Sequence, residues 1–211
     1  MNRIWGVDRV IQLKLKDPEQ KKFKNLILYN MNVGDSVLTE NNEIQIFTDG
    51  RKKYKALIAA IENASEYVYM QYYIIKNDAL WKKIEEVLIR KVRQGITVRM
   101  LFDRIGCRTM HTPDWKRLKD AGVQVVEFPS VRMEKLQFRI NCRNHRKIVV
   151  IDGKIGIVGG FNIGTEYLGL NKKFGYWRDT HICMKGDAVS SLEDCFIKDW
   201  NSVRREYGAI I

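Results

Sequence analysis

Asn141 to Asn162 reads NCRNHRKIVVIDGKIGIVGGFN. Two apolar, β-branched runs, Lys147 to Ile151 and Lys154 to Val158, flank the pair Asp152-Gly153. An Asp-Gly pair in that setting is a hairpin signal, because both turn residues need positive φ and glycine supplies it without strain. Strand side chains alternate, so if the first strand reaches back to Asn144, His145 and Lys147 share one face while Arg146 points to the other. An imidazole and an ammonium then point at one spot.

Phosphodiester exchange needs a nucleophile at phosphorus, cations or donors for the equatorial oxygens, and an acid for the leaving oxygen. His145, Lys147 and Asn162 cover the first two needs. A neutral imidazole can attack phosphorus and form a covalent phosphohistidine, which divides one hard displacement into two. Gly159 and Gly160 let backbone approach closely. The scheme needs no metal, and His111, His145 and His181 show no metal-ligand spacing such as H-E-x-x-H. Taken singly, each residue has a plainer use: a surface histidine, a turn-forming Asp152, a Gly-Gly bend. Taken in the order H-x-K-x-x-x-x-D on a hairpin they point to chemistry, since a plain hairpin has no need of His and Lys facing together.

This pattern resembles the phospholipase D superfamily, whose signature is H-x-K-x4-D followed by a Gly-rich turn and Asn. Within it the chain is similar to the amino-terminal catalytic half of bacterial cardiolipin synthases. The run NHRKIVVIDGKIGIVGGFNIGTEYLG carries the resemblance, with YWRDTH at Tyr176 to His181, EIQIFTDG at Glu43 to Gly50 and QYYIIKND at Gln71 to Asp78. It extends over nearly the whole chain from about Leu38. It implies a phosphatidyltransferase that exchanges phosphodiesters of phosphatidylglycerol through a phosphohistidine, without cofactor or metal. The catalytic set it implies is His145, Lys147, Asp152 and Asp179, with Asn162, Gly160 and Lys147 on the substrate phosphate. In that set His145 is the nucleophile or its partner acid, and Asp152 is a structural carboxylate. Asp179 is the acid on the other ring nitrogen of His145, where a carboxylate fixes the tautomer and stabilises the imidazolium. The plainer reading of Asp179 is an ion pair with Arg178. Thr165 stands where the synthase pattern has an acidic residue.

Cardiolipin synthases carry two such motifs, so that one histidine attacks and the other protonates the leaving oxygen. This sequence holds one, at His145. The second half-site is expected either from a missing carboxyl-terminal region or from a second copy about a two-fold axis. The expected partners are phosphatidylglycerol and the membrane surface, with nucleic acid the lesser alternative. Two rival functions stay open: a homodimeric endonuclease or phosphodiesterase, and an inactive module that binds anionic lipid.

The 211 residues, 45% hydrophobic, suffice for one substantial domain. A balance of 37 Lys and Arg against 25 Asp and Glu gives +12, which favours an anionic partner without choosing among lipid head group, membrane and nucleic acid. Cys107, Cys142, Cys183 and Cys195 lack C-x-x-C spacing, so a reducing compartment is the default. Cys142 lies near His145, but a small buried apolar role is preferred for it. Residues 1–37 read as a basic arm or membrane-proximal segment, with Arg3, Arg9, Lys14, Lys16, Lys21, Lys22 and Lys24 and no apolar run near the roughly eighteen residues of a membrane span. Residues 38–211 read as the catalytic domain. The resemblance implies spanning segments ahead of it, so the expected location is peripheral, at the cytoplasmic face of the cell membrane, without the native anchor.

The rest alternates strand and helix. Strands are expected at Glu43 to Phe47, Tyr67 to Ile75, Thr97 to Phe102, Val123 to Phe128 and Tyr176 to Met184. Helices are expected at Arg51 to Asn63, Ala79 to Gln94 with Gly95 as C-cap, Asp114 to Ala121, and Asp187 to Tyr207. A short helix or turn is expected at Ile163 to Leu170, and a mobile loop at Asn171 to Phe174. The fold class is α/β, a mixed, largely parallel sheet with helices on both faces. Asp103 and Arg104 would close a strand at its carboxyl end, where ligands bind in such sheets. Arg132 and Lys135, in a loop at Ser130 to Phe138, would sit near the mouth.

Overall fold

The structure is a computed structural model and describes residues 15, 17–34, 36–128 and 143–207. Contacts divide the chain into Met1–Thr39 and Glu40–Ile211. In the first unit Asp17 accepts from the Glu19 N–H at 2.8 Å and caps a short helix, α1 (Pro18–Lys22); α2 (Lys24–Gly34) follows, with no buried side chain. No described helix is long and apolar enough to cross a membrane.

The second unit runs β1 (Glu43–Asp49), α3 (Gly50–Glu62), β2 (Tyr67–Tyr72), α4 (Ala79–Arg93), β3 (Thr97–Asp103), α5 (Thr112–Asp120) and β4 (Gln124–Phe128). It continues through β5 (Ile148–Ile151), β6 (Ile155–Gly159), a 3-10 turn (Thr165–Leu168), β7 (Arg178–Lys185) and α6 (Ala188–Tyr207). Among the described residues seven strands form one sheet in the order β1-β7-β6-β5-β2-β3-β4.

The sheet is mixed, as expected, but the pairing corrects the balance. Only β2–β3 and β3–β4 pair parallel, while β1–β7, β7–β6, β6–β5 and β5–β2 are antiparallel. The cause is local: a tight turn at Asp152-Gly153-Lys154 forces β5 and β6 antiparallel, and β7 prolongs the meander. β1 then takes the edge beside β7, so the βαβ unit through α3 steps over three strands instead of joining neighbours.

Helices cover both faces. Val68, Met70 and Tyr72 of β2 and Val98, Met100 and Phe102 of β3 pack with Tyr54, Leu57 and Ile61 of α3 and Trp81, Ile84 and Leu88 of α4. The alternate residues face α6: Leu101 meets Phe196, Trp200 and Val203, and Ile148 and Val150 meet Val189. Period-two burial on the strands and period-3.6 burial on the helices therefore meet as the sequence pattern requires.

Two boundaries move for physical reasons. β2 stops at Tyr72, because Ile74 donates its N–H to the Asn162 side chain and Ile75 makes an isolated bridge with Ile163. α5 begins before Asp114, because His111 and Asp114 form a capping box with Pro113 in the first turn.

Candidate active site

β2, β3 and β6 end, and β5 begins, at one edge of the sheet. The chain enters β5 there through Arg143–Lys147. The ladder starts only at Ile148, yet the alternation already holds: the Lys147 ammonium lies 2.9 Å from His145 Nδ1 and 3.2 Å from Nε2, and donates to the His145 carbonyl at 2.7 Å. Lys147 is buried and the His145 ring exposed. The Tyr73 ring stands 4.5 Å from the imidazole and 5.3 Å from the ammonium.

Burial, and then the neighbouring ammonium, hold the His145 pKa below the usual imidazole range, against an opposing pull from Asp103. Burial also lowers Lys147 to about 8, while the Asp179 carboxylate pulls the other way. A neutral imidazole beside an ammonium is the protonation pattern a nitrogen nucleophile at a phosphate requires. The lone pair that accepts from Lys147 is engaged, so an attack by that nitrogen would require the ammonium to turn away from it.

Asn162 is held from three sides. Its Oδ1 accepts from the Ile74 N–H at 3.0 Å, its Nδ2 donates to the Tyr167 hydroxyl at 3.2 Å, and its carbonyl accepts from the Tyr54 hydroxyl. A primary amide has two N–H donors, so among the described residues one remains for an anionic oxygen.

The Gly159-Gly160 pair serves a different neighbour from the one expected. A Cβ on Gly159 would meet the Thr180 carbonyl and the His181 backbone, and one on Gly160 would meet the Asp179 carboxylate. The close approach is thus to β7. The Gly160 N–H donates to the Thr180 carbonyl at 2.9 Å, so that donor is spent within the fold rather than on a phosphate. Asp179, which the resemblance puts on a His145 ring nitrogen, accepts instead from the Thr180 N–H at 2.7 Å and acts on Lys147. No hydrogen bond joins it to His145, whose ring nitrogens both face Lys147.

Asp152 lies at the far end of β5 from His145, on the order of 20 Å away along the strand. At φ 53 it opens the hairpin turn. Its Oδ2 accepts from Ser65 N–H and Oγ at 2.8 and 2.9 Å, and its Oδ1 from Glu66 and Tyr67 N–H, each at 2.8 Å. Burial raises its pKa, but the backbone donors more than offset this and the carboxyl ends below its usual range. Its work is to tie the hairpin to the start of β2. Asp152→Ala is expected to cost about 2–3 kcal/mol in urea unfolding and to leave residual catalysis. The difference from the parent protein should vanish as pH falls through the lowered pKa, because both then lack the charged anchor. An unchanged urea midpoint at neutral pH would remove this role.

Asp103 ends β3 and Arg104 follows it, where the sequence placed them, whereas Gln71, Asp199, Lys53 and Glu166 escaped the sequence reading. Asp103 is buried and accepts from the N–H groups of Ile105, Gly106 and Asn144, so it fixes the segment leading to His145. Arg104 turns outward to Glu127 at 3.3 Å. On the α6 side, Gln71 donates to Asn144 Oδ1 at 2.8 Å and to Asp199 at 2.7 Å, and Asp199 also receives Asn144 and Arg146. The signals were present: Gln71 interrupts an apolar strand, and Asp199 falls on the apolar step of α6. Beneath the site Lys53 is buried, 2.8 Å from the Tyr72 hydroxyl and 3.9 Å from the Tyr54 ring centroid. Burial drives its pKa well below the ordinary lysine value. His181 is buried too, its Nδ1 accepting from the Phe161 N–H at 3.2 Å, and burial together with Lys53 and Lys147 pushes it down to about 2. Where Thr165 replaces the expected acid, the next residue, Glu166, is buried and paired with Lys76.

Arg132, Lys135 and Cys142 lie outside the described residues. Cys107, Cys183 and Cys195 are free thiols, and burial raises Cys107 to about 12. Among the described residues no three His, Cys, Asp or Glu side chains are grouped to hold a metal ion.

A His–Lys pair at the end of a mixed α/β sheet, beside a Gly-Gly-x-Asn segment, is the architecture of a phospholipase D-like domain. The solved structure of Nuc from Salmonella typhimurium, described as a phospholipase D family member, superposes with a TM-score of 0.54, covering 76% of this chain and 95% of that one at 15% identity. The family is narrower than the fold: the model described as "Cardiolipin synthase, PLD-like domain" matches residues 57–200, and the chain belongs to that family. The major cardiolipin synthase of Bacillus subtilis is 42% identical over 96% of this chain and 44% of its own length. A cardiolipin synthase of Oceanobacillus iheyensis is 46% identical over 92% of this chain and 40% of its own length. The chain thus spans less than half the length of these relatives.

Proposed function

We propose that the chain is a phosphatidyltransferase half-site of the cardiolipin synthase type, working on phosphatidylglycerol at the cytoplasmic face of the cell membrane. The observation that carries the reading is the contact of a lowered-pKa His145 with the Lys147 ammonium, in a chain 42% identical to a cardiolipin synthase. A His145 ring nitrogen attacks phosphorus, the bond to the glycerol oxygen breaks, and that oxygen takes a proton from a second imidazole. A hydroxyl of another phosphatidylglycerol then displaces histidine, returning the proton and giving cardiolipin and glycerol. Lys147 and the spare Asn162 N–H neutralise the oxygens that gain charge. Asp179 holds Lys147 in its charged form. One imidazole cannot attack and protonate in the same step, so the second belongs to the rest of a longer protein or to a second copy.

The test is to incubate the chain with phosphatidylglycerol, quench in alkali, where phosphohistidine survives, and map the modified peptide. A phosphatidyl adduct on His145 is expected; turnover without it would refute the mechanism. Duplex DNA goes through the same assay, because the +12 charge also suits a nuclease. Light scattering on the same sample reads the assembly.

The pH profile follows from two groups with opposite requirements. His145 must be neutral, so the rate rises through its lowered pKa. Lys147 must be charged, so kcat/KM falls above about pH 8. Bound phosphate favours the ammonium and should move the alkaline limb of kcat upward relative to that of kcat/KM. A kcat/KM that shows no alkaline fall up to about pH 9 would remove the Lys147 assignment.

A further inference from the structure

In the second unit the exposed large apolar side chains are Ile44, Ile46, Ile105, Leu170, Phe174 and Tyr176, among the described residues. Ile44 and Ile46 lie on β1. The other four all stand at the end of the sheet that carries His145. Ile105 is in the loop that leaves β3, and Leu170, Phe174 and Tyr176 are in the loop that enters β7. In the strand order β7 lies two places to one side of β5 and β3 two places to the other, so the two loops flank the His145 segment.

We propose that these two loops form an interfacial rim that seats the site on an anionic lipid bilayer. The proposal rests on the lipid-phosphodiester reading and specifies how that substrate is met. Leu170 is 65% exposed, Tyr176 60% and Phe174 50%, an unusual solvent presentation for such side chains. The loop holds them there by construction: Gly175 donates to the Asn171 carbonyl and Lys173 to the Asn171 side chain, both at 2.8 Å, and the Tyr176 hydroxyl reaches the Thr48 carbonyl at 3.3 Å. Cations accompany the apolar groups. Lys173 stands 5.7 Å from the Phe174 ring centroid, and Arg104 precedes Ile105 with its side chain 71% exposed. Aromatic and aliphatic tips with basic stems are the chemistry of a headgroup–acyl boundary, where tips enter the hydrocarbon and cations remain at the phosphates. A nucleic acid would use the cations but give Leu170 and Ile105 nothing to bury against, so the bilayer is favoured. Seated on both flanks, the site faces the membrane, and a lipid phosphodiester reaches His145 without leaving the leaflet.

Hydrogen exchange of the full chain tests this on vesicles of phosphatidylglycerol and phosphatidylcholine, with pure phosphatidylcholine vesicles and duplex DNA as comparisons. Amides in 104–110 and 169–176 are expected to slow about tenfold on the anionic vesicles alone, while those around Ile44 and Ile46 stay unchanged. Leu170→Ser combined with Phe174→Ser should abolish the slowing in both loops. The proposal is overturned if the chain fails to bind, if it binds with these loops unaltered, if the double variant keeps the slowing, or if DNA produces the same slowing. Adduct formation on His145 with monomeric short-chain phosphatidylglycerol separates the two readings. An adduct without loop slowing overturns the rim alone; loop slowing without an adduct supports the rim and overturns the catalytic reading alone.

Discussion

His145→Asn is expected to abolish adduct formation and lower turnover by at least about four orders of magnitude, with the unfolding midpoint unchanged. The ring is exposed and supports no apolar cluster, so its loss opens no cavity. Among the described residues its side chain contacts Lys147 and the Tyr73 ring, and asparagine can still accept from the ammonium. What asparagine lacks is a nitrogen lone pair able to attack phosphorus. Turnover should be measured beside circular dichroism on the same preparation. A rate within tenfold of the parent would take His145 out of the reaction.

Gly50→Ala is expected to produce the second large effect, and to join stability to catalysis. Gly50 opens α3 just after its cap Asp49, and a Cβ there would run into the Tyr167 carbonyl of the 3-10 turn. The obstacle is backbone, so the turn itself must shift, at a cost of about 2–4 kcal/mol. The same turn carries the Tyr167 hydroxyl that receives Asn162 Nδ2, so the proposed phosphate donor moves with it. A drop in kcat of about tenfold or more should accompany the lower urea midpoint, since misplacement by about an ångström is enough for that. Gly175→Ala is the contrast. Its φ of 63 makes alanine costly by about 1–2 kcal/mol, but a Cβ there meets nothing, and catalysis should survive. Equal kinetic losses in the two variants would break the proposed link between the 3-10 turn and Asn162.

The hairpin was legible because its information is local: Asp152-Gly153 sits between β-branched runs, and alternation puts His145 and Lys147 together. The helices were legible for the same reason, their apolar spacing and caps lying within a turn of each other. Strand adjacency was not, since β1 and β7 choose one another across most of the chain and nothing near Glu43 names its partner. Asp179 illustrates the limit within the site. Its presence near the chemistry could be taken from YWRDTH, but only the packing of β7 against Gly160 aims it at Lys147 and away from His145. Lys53 was illegible altogether, because a lysine on a helix reads as solvated until the sheet beneath it is known.

The pairing of β1 with β7 has a consequence in time. Glu43 and Lys185 face one another although 142 residues separate them, so β1 cannot enter the sheet until nearly the whole domain has been made. On a ribosome adding residues one by one, β1 waits as an unpaired strand with Phe47, buried in the finished fold, still uncovered, while β2, β3 and β4 can already assemble. The loop to be closed is long, its closure comes late, and the waiting strand is the segment most open to pairing with the wrong neighbour.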